Sequence, residues 1–205
     1  MTKRKIALLG GTFDPIHLGH TAVAAYAAEH IGAEKVVFIP AKRSPLKNFS
    51  PKASGADRLR MIALAITGNK HFKVSDCELK KSGPGYTLET VREFQAEYGS
   101  GALIYWLIGA DCIEELSRWY GIAELIEKCN LSVMFRAGCQ APDFTGFESF
   151  CEPEQIQKLQ DNVIETPLIN ISSTEIRSRL AAGLDVTDML CPAVADYIRK
   201  NNLYQ

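Results

Sequence analysis

An unbroken apolar run, Ile6, Ala7, Leu8 and Leu9, ends at the pair Gly10 and Gly11. A run with no polar position on either face suits a strand covered on both sides. One helical stripe follows, through Val23, Ala24, Ala27, Ala28 and Ile31. Then comes a β-branched run at 35–40, stopped by Pro40. Strand, helix and strand within about 35 residues make a βαβ unit, which requires parallel pairing. The alternation continues. Helical spacing is read at 57–66 and 87–98, a short strand at 72–74, and a strong apolar strand at 102–109. A helix through Ile113 and Leu116, another near 121–128 and a strand at 131–135 come next. Residues 137–152 lose periodicity, β character returns at 163–171, and helices near 173–182 and 192–201 complete the pattern. Such alternation predicts a doubly wound α/β sheet.

A chain of 205 residues, 46% hydrophobic and 23% charged, has ordinary globular composition and length for one domain. A net charge of −1 argues against polyelectrolyte binding to nucleic acid or membrane. The charge is uneven. Lys42, Arg43, Lys47, Lys52, Arg58 and Arg60 stand near Asp57 alone, so an anion site and a solvated face are equal readings there. Asp143, Glu148, Glu152, Glu154, Asp161 and Glu165 surround only Lys158 and read as a solvated face. The cysteines at 77, 112, 129, 139, 151 and 191 contain no C-x-x-C pair, so a reduced, cytoplasmic setting is the simpler account. No apolar run has the length of a signal-peptide core or a membrane span.

The chemistry concentrates after the first strand, in "GGTFDPIHLGH" at 10–20. The stretch is neither G-x-G-x-x-G nor a P-loop. It offers a glycine turn, Thr12, and His17 and His20 three residues apart at a helix start. Residues three apart share a helical face. Backbone N–H groups and the macrodipole at a helix start favour an anion. A capped turn with one buried histidine is the structural alternative. Metal ligation is a weaker one, since Asp14 is the only nearby acid.

Residues 10–20 resemble the H-x-G-H signature of a nucleotidyltransferase superfamily to which class I aminoacyl-tRNA synthetases are related. The longer form, G-G-T-F-D-P-x-H-x-G-H, resembles the bacterial nicotinate-nucleotide adenylyltransferases. "SPLK" at 44–47, "GYTLET" at 85–90, "GADCIEELSRWY" at 109–120 and "ISSTEIR" at 171–177 agree in order. Two departures are Leu46, where the family often has His, and the missing Pro after Arg136.

The resemblance implies a Rossmann-like doubly wound parallel sheet in one domain, 1–205, with a small C-terminal helical extension from about 171. It implies transfer of the adenylyl group of ATP to nicotinate mononucleotide, in NAD biosynthesis, with Mg²⁺ carried mainly on the ATP phosphates. It makes His17, His20 and Arg177 catalytic. It gives ATP to Gly10, Gly11, Thr12, Phe13, His17, His20, Gly109, Asp111, Ser173, Thr174 and Arg177. It gives the mononucleotide to Asp14, Lys47, Tyr86, Thr87, Trp119 and Tyr120. No protein metal ligand, nucleic acid or membrane is expected, and a homo-oligomer is compatible with the sequence. Local chemistry offers plainer roles for several of these. Ser172 and Glu175 make a capping box, Asp111 and Thr87 are good N-caps, and Trp119 continues the Ile113 and Leu116 stripe into the core. A sibling transferase with another phosphate acceptor, or a non-catalytic nucleotide-binding regulator, are the alternatives.

Overall fold

The computed structural model describes residues 3–42 and 50–205. Lys47 and Leu46 therefore lie outside the described residues, as does Arg43. Among the described residues, six strands form one sheet: β1 (Arg4–Gly11), β2 (Lys35–Pro40), β3 (Phe72–Val74), β4 (Ala102–Gly109), β5 (Asn130–Arg136) and β6 (Val163–Thr166). Their order is β3-β2-β1-β4-β5-β6, and every pairing is parallel. The helices are α1 (Leu18–Ile31), α2 (Gly55–Ala65), α3 (Cys77–Lys80), α4 (Thr87–Tyr98), α5 (Ile122–Lys128), α6 (Pro153–Gln160), α7 (Ser173–Ala181) and α8 (Pro192–Lys200).

Period-two alternation along the strands builds two cores. Ile6 and Leu8 face one side with Trp106, Ile108 and Val133, under α4, α5 and α6. Ala7 and Leu9 face the other with Phe38 and Leu107, under α1, α2, α7 and α8. This is the doubly wound architecture that the alternation predicts. Strand order reverses between β1 and β4, and ligands of open α/β sheets bind outside the carboxyl ends of strands at such a point. Gly11 ends β1 and Gly109 ends β4, so both motifs meet there.

Several boundaries differ from expectation. The segment after β4, Ala110–Arg118, is 3-10 rather than α-helical. Within the aperiodic stretch a short 3-10 turn, Phe147–Ser149, packs Phe147 inward. Helix α6 was not anticipated from periodicity, although its Pro153 in the first turn and Glu152–Gln155 capping box are start signals. β6 stops at Thr166 because Pro167 cannot continue the ladder.

Candidate active site

β1 leads into a tight loop. Phe13 adopts φ 49°, a left-handed conformation unusual for a bulky residue. Its buried ring lies edge-on to His20 at 5.0 Å and against Phe38 at 5.9 Å, contacts that hold the turn. α1 then starts at Leu18, with His17 as N-cap and His20 at its third position. His20 is thus inside the helix rather than just before it. The two imidazoles stack with centroids 3.7 Å apart. The His17 N–H donates to His20 Nδ1 at 3.2 Å, which assigns the His20 proton to Nε2. His17 Nδ1 is buried with no hydrogen-bond partner among the described residues. Burial pushes the His17 pKa down to about 4. Burial, and then His17, hold His20 well below the usual imidazole range. Burial thus favours the neutral form of both rings.

A second helix start faces the first. Ser172 Oγ caps α7 by accepting from the Glu175 N–H at 3.2 Å. The expected cap is therefore present, while the Glu175 carboxylate turns to Arg179 at 3.1 Å. Ser173 Oγ donates to the Pro15 carbonyl at 2.9 Å. Arg177 donates to the Asp14 carbonyl at 2.8 Å and to Thr174 Oγ1 at 3.2 Å. The early N–H groups of a helix have no intrahelical acceptor. Two such ends, from α1 and α7, are thereby tied to one loop.

The opposite wall is aromatic. Tyr86 and Tyr120 rings lie 4.5 Å apart, and Tyr120 is exposed. Trp119 packs partly on the core and also lines the cleft, so the two readings of it coexist. Tyr86, not Thr87, is the N-cap of α4; Thr87 is its first residue, with an N–H free of helix bonds. Asp111 does not cap its helix either. Gly109 is the N-cap, and a Cβ there would stand 2.3 Å from Asp111 Oδ1. Glycine at 109 is what lets that carboxylate fold back at the end of β4.

These elements enclose a cleft of about 1190 Å³. It is lined by Gly10, Gly11, Thr12, Phe13, Asp14, His17, His20, Tyr86, Thr87, Gly109, Asp111, Trp119, Tyr120, Ser173, Thr174 and Arg177. Every candidate residue from the sequence apart from Lys47 is thus brought to one place. No group of three or more His, Cys, Asp or Glu that could hold a metal ion occurs among the described residues.

A family model described as cytidylyltransferase-like matches residues 8–179. A relative from Neisseria meningitidis serogroup B, carrying the name probable nicotinate-nucleotide adenylyltransferase, is 38% identical over 98% of this chain and 99% of its own. One of the same name from Rhodopirellula baltica is 36% identical over 98% of this chain and 93% of its own. The chain belongs to the nicotinate-nucleotide adenylyltransferase family. The fold is shared with the solved Plasmodium falciparum nicotinic acid mononucleotide adenylyltransferase complexed with NaAD. That likeness has a TM-score of 0.73 at 19% identity and covers 98% of this chain and 97% of the other.

For this adenylyltransferase-family chain, sequence reasoning missed the burial of two charged residues, Arg58 and Glu78, and the partners of a third, Asp14. Arg58, read within a charge run, is 2% exposed and donates to the carbonyls of Thr12 and Ala41 at 2.7 and 2.8 Å. It ties the segments that follow β1 and β2 to each other, beside the Asp14 carboxylate. Asp14 lines the cleft, yet its carboxylate accepts from the N–H groups of Lys52 and Ala53 and from the Tyr204 hydroxyl. Glu78 lines the cleft, accepts from Thr90 Oγ1 at 3.0 Å, and is pushed by burial up to about 7. Burial of a lone charged residue leaves no periodic signal in a sequence.

Proposed function

We propose that this chain transfers the adenylyl group of ATP to nicotinate mononucleotide, releasing pyrophosphate and giving nicotinate adenine dinucleotide. The observation that carries this reading is the convergence of two helix N-termini, two neutral imidazoles and Arg177 at the switch point between β1 and β4. Full-length likeness to relatives named for this activity supports it.

The 5′-phosphate of the mononucleotide attacks the α-phosphorus in line. The bond from that phosphorus to its bridging oxygen breaks, and pyrophosphate leaves with the electron pair. The attacking phosphate is already anionic, so no protein nucleophile is needed. Catalysis is positioning plus neutralisation of developing charge. His20 donates Nε2–H toward the α-phosphate, and His17 supports it from the stacked ring. Arg177 with the Ser173 and Thr174 N–H groups takes the outer phosphates. Gly10, Gly11, Thr12 and Phe13 form the floor, and Gly109 and Asp111 take the adenosine end. Trp119, Tyr120 and Tyr86 wall the pyridine, whose carboxylate meets the free N–H of Thr87. Asp14 supports the site from below, and Lys47 is assigned to the mononucleotide. Mg²⁺, whose donors would be phosphate oxygens and water, would add charge neutralisation on the triphosphate. A cytoplasmic setting is supported by the spacing of the six cysteines, which holds no C-x-x-C pair.

The deciding experiment compares pyrophosphate release from ATP with nicotinate mononucleotide, nicotinamide mononucleotide and phosphopantetheine. Both pyridine rings stack alike on Trp119, so ring contact does not select. An amide NH₂ pointed at an N–H donor leaves both unpaired, at about 1–3 kcal/mol per group. The acid is therefore preferred in kcat/KM by at least about tenfold. Equal use of acid and amide overturns the donor-based selection, and turnover with phosphopantetheine alone overturns the acceptor assignment.

A further inference from the structure

We propose that Tyr204 is a positioning residue of the ATP site: its phenol, held on Asp14, fixes the main chain that aims Arg177. The inference rests on the reading that Arg177 binds ATP phosphates. The Asp14 carboxylate is 4% exposed and gathers three donors from distant parts of the chain. Oδ2 accepts from the Lys52 N–H at 2.8 Å. Oδ1 accepts from the Ala53 N–H at 3.0 Å and from the Tyr204 hydroxyl at 2.8 Å. The carbonyl of the same residue accepts from Arg177 at 2.8 Å, and the next carbonyl, of Pro15, accepts from Ser173. Whatever immobilises Asp14 therefore sets the orientation of the guanidinium.

The route taken by residues 201–204 supports a purpose beyond filling space. Asn202 and Tyr204 have φ of 50° and 66°, left-handed conformations that side chains other than glycine adopt at a cost. The Leu203 N–H still bonds the Ile198 carbonyl at 3.0 Å, so this segment is anchored to α8. α8 is in turn pinned to α2, where the Tyr197 hydroxyl donates to Asp57 at 2.9 Å. The phenol thus projects from a braced element. Burial, with the hydrogen bond to Asp14, pushes the Tyr204 pKa up, so the group stays a donor. Arg58 and Arg177 are the cations beside this pair.

The test is a double-mutant cycle on Tyr204→Phe and Arg177→Ala, read by calorimetric ATP binding and by steady-state kinetics. Tyr204→Phe keeps the ring and removes one bond to a charged group. It is expected to weaken ATP affinity and kcat/KM for ATP about tenfold, with KM for the mononucleotide unchanged. In the Arg177→Ala background the same change is expected to have less than about a twofold effect, because the group it acts through is gone. Equal losses in both backgrounds, no loss in either, or a Tyr204→Phe protein that melts below the assay temperature each overturn the proposal, since each makes Tyr204 structural only. A wild-type protein that binds ATP but does not use nicotinate mononucleotide would instead count against the proposed reaction, and the binding cycle would still decide Tyr204.

Discussion

His20 sits at the third position of α1 and accepts the His17 N–H, so replacing it acts twice. His20→Ala should lower kcat roughly 10²–10³-fold, as loss of one preorganised donor does. It should also cost about 1 kcal/mol of stability through the lost cap contact. Turnover measured beside a thermal melt separates the two effects; near-normal kcat in a folded variant would remove His20 from the chemistry. The histidine pair was legible in the sequence because its spacing at a helix start has a chemical meaning, whereas Arg177 was singled out by the resemblance. Asp14 was legible as a member of the motif but not as the acceptor of three remote donors. Arg58 and Glu78 were not legible, because only the tertiary fold buries them.

At the scale of elements, the aromatic wall of the cleft depends on a single close approach. Gly121 has φ 63° and follows Trp119 and Tyr120, and a Cβ there would stand 2.5 Å from Leu88 Cδ2. Leu88 is fully inside α4, directly after Thr87. Gly121→Ala therefore meets both an unfavourable backbone and a packed neighbour, and should cost about 1–3 kcal/mol. The strain falls on the α4 start and on the Trp119 turn together, so KM for the mononucleotide should rise more than KM for ATP. Denaturant unfolding and two-substrate kinetics check this; an unchanged midpoint would show that Leu88 moves aside freely. Strands β1, β2 and β4 were legible because both their faces are apolar. The 3-10 form of Ala110–Arg118 was not, since three-residue steps at Ile113, Leu116 and Trp119 also stay on one face of an α-helix over so short a stretch. α6 was overlooked because PEQIQKLQ carries too narrow an apolar stripe, with only Leu159 buried.

The pairing of β1 with β4, which creates the cleft, depends on contacts remote in sequence, so alternation alone gave the layers but not the strand order. Whole-molecule stability likewise sums groups from opposite ends of the cleft. Burial holds His17 near 4 against an ordinary 6.5, so its contribution is present above pH 6.5 and is lost as pH falls toward 4. Glu78 is the reverse case. Burial raises it to about 7 from 4.5, against the Thr90 hydrogen bond and the charge of Lys81 and with a smaller push from Glu93. Its contribution is full below pH 4.5 and is lost as pH rises through 7. His20, also depressed by burial, adds to the His17 slope between about 4.5 and 6.5, so the single opposing slope of Glu78 offsets only part of the rise in wild-type stability there. Glu78→Gln keeps an oxygen for Thr90 Oγ1 but cannot ionise. The variant should gain on wild type as pH rises from 4.5 to 7, by on the order of 2–3 kcal/mol, and hold that gain above it. For a chain of this size the gain corresponds to a melting temperature higher by about 5–10 °C at pH 8. Its own stability should climb more steeply than that of wild type between pH 4.5 and 6.5, because the slopes of His17 and His20 are no longer offset. Melting curves across pH 4–8 decide the matter: parallel profiles for wild type and Glu78→Gln would mean that Glu78 ionises as an ordinary carboxylate, and that its burial imposes no penalty on the charged form.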